Sequence, residues 1–128
     1  MNPLTREWIE KAEGDFATAG RERRARKRPN YDAVSFHAQQ CAEKYLKALL
    51  QEADVPFGKT HNLIALLERL LIVDPSWEMM RAHLQTLSVF AVGVRYPGES
   101  ADKATAREAL GLCREVRSRA RASLGLEP

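Results

Sequence analysis

The sequence predicts an all-α protein, an up-and-down bundle of four to five helices with short connections. Apolar residues recur at steps of three and four along most of the chain, and no segment alternates with period two. Ala, Leu, Arg and Glu, which are good helix formers, dominate the composition. The 128 residues, 45% of them hydrophobic and 29% charged, are expected to form one domain spanning residues 1–128.

The segment 31–53 carries the strongest helix signal and is predicted to be the central helix. Asp32 stands where an N-cap residue would accept hydrogen bonds from the first-turn amides. Residues three and four apart share a helix face, so the segment has one apolar face and one polar face. The apolar face comprises Ala38, Ala42, Tyr45, Leu46, Leu49 and Ala53. The polar face comprises His37, Gln40, Lys44 and Lys47. Such a helix needs at least two neighbours to cover its apolar face.

Four further helices are predicted from caps, prolines and periodicity. Their expected ranges are residues 2 to about 28, 62–71, 75–92 and 100–124. Pro3 occupies the favoured first helical position, and Asp74 followed by Pro75 marks another start. The helical period continues from Trp77 into the run VFAVGV, which therefore favours one unbroken fourth helix. Ser100 is the expected cap of the last helix.

The sequence indicates a cytoplasmic protein with no membrane segment. It contains no run of about 18 apolar residues, and the N-terminus MNPLTREWIEKAE is too charged for a secretory signal. Cys41 and Cys113 are the only cysteines, and both fall on apolar helical positions. Buried free thiols are therefore expected rather than a disulfide.

The net charge of +3 is concentrated in two basic groups. The run RERRARKR, residues 21–28, combines seven charged residues of which only one is acidic. The second group consists of Arg114, Arg117, Arg119 and Arg121. Each group could contact phosphates, or could be a solvated helix end whose cations complement the helix dipole. Aromatic residues are not interleaved with either group, which argues against stacking of single-stranded bases.

Sequence motifs for common chemistries are missing. There is no GxxxxGK[ST] or GxGxxG loop, no HExxH, no paired CxxC and no Glu-x-x-His pair. No catalytic residue, metal site or cofactor is therefore predicted. His37, His61 and His83 are each expected to be hydrogen-bonded structural residues. His61, in KTHNL at the entrance of a helix, could also cap that helix or contact an anion.

Three motifs in order resemble the HEPN domain family, the nucleotide-binding domain of higher eukaryotes and prokaryotes. They are FHAQQCAEKYLKALL (36–50), THNL (60–63) and VRYPG (94–98). The N-terminal residues that also fit are Trp8, Ala12, Asp15, Phe16 and Ala19. The residues that match the family pattern are Phe36, Gln39, Gln40, Ala42, Glu43, Lys44, Leu46, Lys47, Ala48, Leu49, His61, Leu63, Arg95, Tyr96 and Pro97. The resemblance spans roughly residues 5 to 122.

The resemblance implies a bundle of four or five helices that often pairs as a homodimer. Many family members stand beside a minimal nucleotidyltransferase, including in toxin–antitoxin pairs. Some branches are metal-independent ribonucleases that use an Arg, four to six residues and then a His. That spacing is absent here, because Arg81 and His83 are separated by one residue and no His follows Arg95.

The favoured interpretation is a non-catalytic module that binds a nucleotide or RNA phosphate and partners a minimal nucleotidyltransferase. Arg95 would bind phosphate through two hydrogen bonds, and Tyr96 would offer an aromatic face. The full set of candidate ligand-binding residues is Arg95, Tyr96, Lys44, Lys47, His61, Gln40 and His37. Two alternatives stay open. In one, Arg95 pairs with Glu43 and Tyr96 closes the bundle end. In the other, Arg95 and a spatially adjacent histidine form a metal-independent ribonuclease.

Overall fold

A computed structural model describes residues 1–93 and 96–128, and every regular element in these ranges is helical. The elements are α1 (Pro3–Arg24), α2 (Tyr31–Glu52), α3 (Leu63–Val73), a 3-10 segment (Pro75–Met80), α4 (Arg81–Gly93) and α5 (Lys103–Ser123). The predicted all-α bundle of four to five helices is confirmed. Within the described residues no helix is both long and apolar enough to cross a membrane.

Helix α2 is the central element, as its sequence predicts. It packs against α1 and α5 most extensively, and against α3 and α4 as well. Because neighbours surround it, 13 of its 22 residues are buried, and these include Lys47 of the polar face. Tyr45, Leu46 and Leu50 are completely shielded from solvent. Burying a large apolar side chain stabilises a fold by roughly 1.5–3 kcal/mol, so α2 supplies much of the core energy.

Two helices begin at caps other than those expected. Asn30, not Asp32, caps α2, because its side-chain oxygen accepts a hydrogen bond of 3.0 Å from the Ala33 amide. The Asp32 carboxylate instead accepts a hydrogen bond of 2.6 Å from the Ala101 amide. It therefore joins the start of α2 to the segment that precedes α5. Helix α5 is likewise capped by Asp102 rather than Ser100.

The predicted unbroken helix over residues 75–92 is wrong in its first six residues, which form the 3-10 segment. Asp74 caps this segment by accepting from the Ser76 amide, and Pro75 occupies its first turn. A 3-10 helix winds more tightly than an α-helix and is used in short connectors. Here it carries the fully buried Trp77 into the core before α4 starts at Arg81.

Cys41 on α2 and Cys113 on α5 are buried and free, as the sequence predicts. The two thiols are neighbours in the core. The Cys113 thiol and burial together raise the pKa of Cys41 well above its ordinary value. The Cys41 sulfur therefore stays in the neutral thiol form that suits an apolar interior.

Candidate functional site

The side of α2 that faces α3 carries a buried carboxylate, Glu43, whose side chain is only 2% exposed. The Lys47 ammonium, one turn later, donates to it across 3.2 Å and is itself 5% exposed. The Nδ1 atom of His61 lies 3.1 and 3.2 Å from its two oxygens. Gln39 adds a longer contact of 3.5 Å from its amide nitrogen. A buried charge is tolerated only with such partners, so Glu43 fixes the positions of all three groups.

His61 is held at two points but keeps most of its ring in solvent. Its carbonyl oxygen accepts a hydrogen bond of 3.3 Å from Gln39, and its Nδ1 contacts Glu43. The next residue, Asn62, caps α3 by accepting from two amides, which fixes the local backbone. The imidazole is nevertheless 72% exposed, and its Nε2 atom has no partner within the described residues. Nε2 can therefore accept a proton from a ligand, or donate one to it when the ring is charged.

A cleft of about 340 Å³ lies beside this ring, between α2, α3 and α4. Gln39, His61, Asn62 and Ser88 provide its polar lining, and Ile64, Ala91 and Val92 its apolar lining. Small-molecule sites usually combine an apolar surface with a few polar groups, within about 300–1,000 Å³. The cleft is thus large enough for a small ligand.

A second polar group lies between α1 and α2. The Asp15 carboxylate, nearly buried on α1, contacts His37 Nδ1 at 2.7 Å and the Lys44 ammonium at 2.5 Å. His37 and Lys44 are seven residues apart, which places them on the same face of α2. A single carboxylate thus binds both groups and ties the two helices together.

A third polar group crosslinks α1, α2 and α5. Glu13 accepts two hydrogen bonds from the Arg117 guanidinium, at 2.7 and 2.8 Å, and a third from the Tyr45 hydroxyl at 2.6 Å. Arg121 donates to the same hydroxyl. The Arg117 guanidinium lowers the pKa of Glu13 below its ordinary value, while partial burial acts in the opposite direction. Arg117 also lies over the Phe16 ring, 4.4 Å from its centroid.

Among known protein families, the HEPN domain matches residues 5–122, nearly the whole chain. The chain belongs to the HEPN domain family. The resemblance found in the three sequence motifs is therefore confirmed, and membership supports a role related to nucleotides or RNA. No curated protein and no solved structure is significantly similar to the chain.

In this HEPN domain the predicted ligand residues fall into separate groups. Gln40 donates to the Gln39 side chain and therefore joins Lys47 and His61 around Glu43. His37 and Lys44 belong instead to the Asp15 group. Both lysines already pair with carboxylates inside the protein. Of the candidates that the structure describes, His61 and Tyr96 present most of their side chains or surface to solvent.

The predicted roles of Arg95 stay predictions, because Arg95 lies outside the described residues. The alternative in which Tyr96 closes the end of the bundle is wrong, since Tyr96 is 64% exposed. The other half of that alternative pairs Arg95 with Glu43. In the structure Glu43 already has Lys47 and His61 as partners.

Most arginines of the basic group on α5 form contacts with other helices of the HEPN domain. Arg117 and Arg121 belong to the Glu13 group, and Arg119 donates to Ser76 while lying over the Trp77 ring. Sequence reasoning missed the Glu13 group. The feature of the sequence that could have indicated it is the Tyr45 hydroxyl, which needs a polar partner on an otherwise apolar face.

Within the described residues there is no cluster of three or more His, Cys, Asp or Glu side chains that could hold a metal ion.

Proposed function

We propose that this HEPN domain is a non-catalytic binding and interaction module that holds a nucleotide or an RNA phosphate in the His61 cleft. The observation that carries the proposal is the exposed imidazole of His61, which the buried Glu43 orients and whose Nε2 has no hydrogen-bond partner among the described residues. A pre-oriented ring loses little freedom when it binds a ligand. The polar and apolar lining of the cleft suits a base or ribose beside that ring.

The predicted residues take different roles in this proposal. His61 contacts the ligand, and Gln39 and Gln40 support it. Tyr96, exposed beyond the end of α4, offers an aromatic face to a base. Arg95, next to Tyr96 in the chain, supplies the cation for the phosphate. The other three candidates do not contact the ligand in this proposal but stabilise the fold by pairing with carboxylates. His37 and Lys44 pair with Asp15, and Lys47 pairs with Glu43.

Replacing His61 with glutamine is expected to weaken nucleotide or RNA binding roughly tenfold. The lost interaction is one hydrogen bond to a charged group, worth about 1.5 kcal/mol or more. Anisotropy of a labelled nucleotide and of a labelled short RNA would measure the loss. His83→Gln is the matched control, because His83 also pairs with a glutamate, Glu115, but lies on the α4–α5 side of the molecule. Equal affinities for wild type and His61→Gln would contradict the proposal.

The second candidate function is a metal-independent ribonuclease, and the same His61–Glu43 pair favours it. A carboxylate that holds Nδ1 leaves Nε2 available as a general base, as in other acid–base sites. Incubating the protein with tRNA in EDTA separates the two functions. The binding module leaves the tRNA intact. Cleavage that His61→Gln and Arg95→Ala abolish, and His83→Gln retains, would replace the proposal with the ribonuclease.

We further propose that the chain forms a complex with a minimal nucleotidyltransferase in the cytoplasm. A toxin–antitoxin pair is one form that such a complex takes. The support is family membership together with buried free thiols, which are typical of a reducing compartment. A small nucleotidyltransferase with a GS-x10-D-x-D signature, encoded next to this chain and co-purifying with it, is the partner that fits.

The chain is also expected to form a homodimer. Val89 and Val92 are three residues apart on α4, so they lie close together on it, and they are 67% and 52% exposed. Because Val92 also lines the cleft, a second copy on this face would lie beside the ligand.

Light scattering at roughly tens of micromolar, a range suited to ordinary dimers, should give twice the mass of one chain. The double variant Val89→Asp with Val92→Asp should give the monomer mass. A monomeric wild type would contradict the dimer.

A further inference from the structure

A second cavity lies at the end of the bundle where α1 finishes and α5 begins. Its volume is about 580 Å³. Five of its lining side chains are cations, namely Arg23, Arg24, Arg26, Lys103 and Arg107. Three come from the end of α1 and the loop after it, and two from the first turns of α5. This basic cavity shares no lining residue with the His61 cleft.

The cations of the basic cavity have no ion-pair partner in the part of the chain that the structure describes. Among the ion pairs of the described residues, none involves any of these five side chains. Three carboxylates stand close to them in the chain or the fold, those of Glu22, Asp32 and Asp102. Each of these accepts a hydrogen bond from a main-chain amide. Three arginines later on α5 differ from these cations, because each donates a hydrogen bond to a side chain of another element. They are Arg117, Arg119 and Arg121.

We propose that the basic cavity binds a run of linked phosphates, such as a nucleoside triphosphate tail or consecutive phosphates of an RNA strand. Gathering five like charges is unfavourable, and an anion of high charge relieves their repulsion. One phosphate group carries a charge of about −2 at most, so five cations suit two or three linked phosphates. Arginine, which supplies four of the five cations, binds phosphate oxygens through paired hydrogen bonds.

Tyr31 adds a feature that the sequence did not indicate. No aromatic residue lies within the run of residues 21–28, but the fold brings Tyr31, the first residue of α2, into the wall of the basic cavity. Proteins that bind single-stranded nucleic acid combine an aromatic ring with a row of cations. The base stacks on the ring, and the phosphates pair with the cations. The ring therefore favours a ligand that carries a base in addition to its linked phosphates.

The test compares two triple variants of the full chain that lose the same charge. The site variant carries Arg24→Gln, Arg26→Gln and Arg107→Gln. The control variant carries Arg6→Gln, Lys11→Gln and Arg114→Gln, three exposed cations that do not line the basic cavity. Circular dichroism and thermal unfolding establish that both fold. Calorimetry with inorganic tripolyphosphate and anisotropy with a labelled twelve-nucleotide oligo-U RNA then report binding.

The site variant is expected to bind at least one of the two probes about tenfold more weakly than wild type, and the control variant within about threefold. If RNA is the ligand, the slope of log affinity against log salt should fall by about 2 in the site variant, for three lost phosphate contacts on a single strand. Equal weakening in both variants would show a diffuse charge effect and overturn the proposal. The proposal would also be overturned if neither tripolyphosphate nor RNA bound to the wild-type protein.

The two sources of linked phosphates are separated by competition. RNA that binds in the cavity is displaced by tripolyphosphate, and the site variant loses both. If only tripolyphosphate depends on the cavity, then the free nucleotide is the source. A single orthophosphate that binds as tightly as tripolyphosphate would overturn the requirement for linked phosphates. Tripolyphosphate binding by His61→Gln should equal that of wild type, so failure of the His61 proposal and failure of this one are distinguishable.

Discussion

Replacing Glu43 with leucine is expected to destabilise the fold by about 3–5 kcal/mol, the usual cost of removing one partner from a buried ion pair. The substitution leaves the Lys47 ammonium, 5% exposed, without its carboxylate. It also releases His61, so that the cleft loses its oriented ring. Urea unfolding followed by circular dichroism at pH 7 measures the change in the free energy of unfolding.

Two further variants test whether the buried charge causes the loss. The double variant Glu43→Leu with Lys47→Met removes both charges, and should recover most of the stability because replacing a whole buried pair with apolar groups is often neutral. Glu115→Leu breaks the other His–Glu pair, but Glu115 is 62% exposed, so its cost should stay below about 1 kcal/mol. If Glu43→Leu costs no more than Glu115→Leu, Glu43 is not the centre of the α2–α3 contact.

The fold could be predicted because its signals are local. Periodicity and prolines place the helices within a few residues, and α2 emerges as the central helix from its own apolar face. The caps were harder to place, because neighbouring residues competed for each. Asn30 and Asp32 can both cap α2, and only the position of Ala101 in the fold decides that Asp32 is used elsewhere. The 3-10 segment around Trp77 depends on packing in the same way.

The candidate site could be predicted only in part, because the sequence shows which residues share a helix face but not what covers that face. The residues of the polar face of α2 were predicted to bind a ligand. In the bundle Lys44 pairs with Asp15 of α1. Lys47 pairs with Glu43 on its own helix and lies over the Trp8 ring of α1. His61 kept its exposed ring because it stands at a helix entrance. The basic cavity joins residues about 80 positions apart, a distance no local pattern spans.

Replacing Arg117 with methionine is expected to cost about 1–2 kcal/mol at pH 7, in the lower part of the range for hydrogen bonds to charged groups because Glu13 is partly exposed. Arg117 makes two hydrogen bonds to Glu13 and covers Phe16, so its loss loosens the contact between α1 and α5. Arg114→Met, on the same helix, removes an exposed cation that has no ion pair among the described residues. It should cost little at any pH.

The cost of Arg117→Met should depend on pH in a definite direction. Arg117 lowers the pKa of Glu13 below its ordinary value of 4.5, so the folded state holds the Glu13 proton less tightly than the unfolded chain does. A depressed carboxyl pKa contributes stability above the ordinary value, and that contribution is lost as pH falls through the folded value. The difference in unfolding free energy between wild type and Arg117→Met should therefore be constant from pH 7 to about pH 5, and shrink below it. Urea titrations from pH 7 to pH 3 measure it. A difference that stays the same down to pH 3 would show that Arg117 acts through its packing on Phe16, and that the charge of Glu13 adds nothing to the joint between α1 and α5.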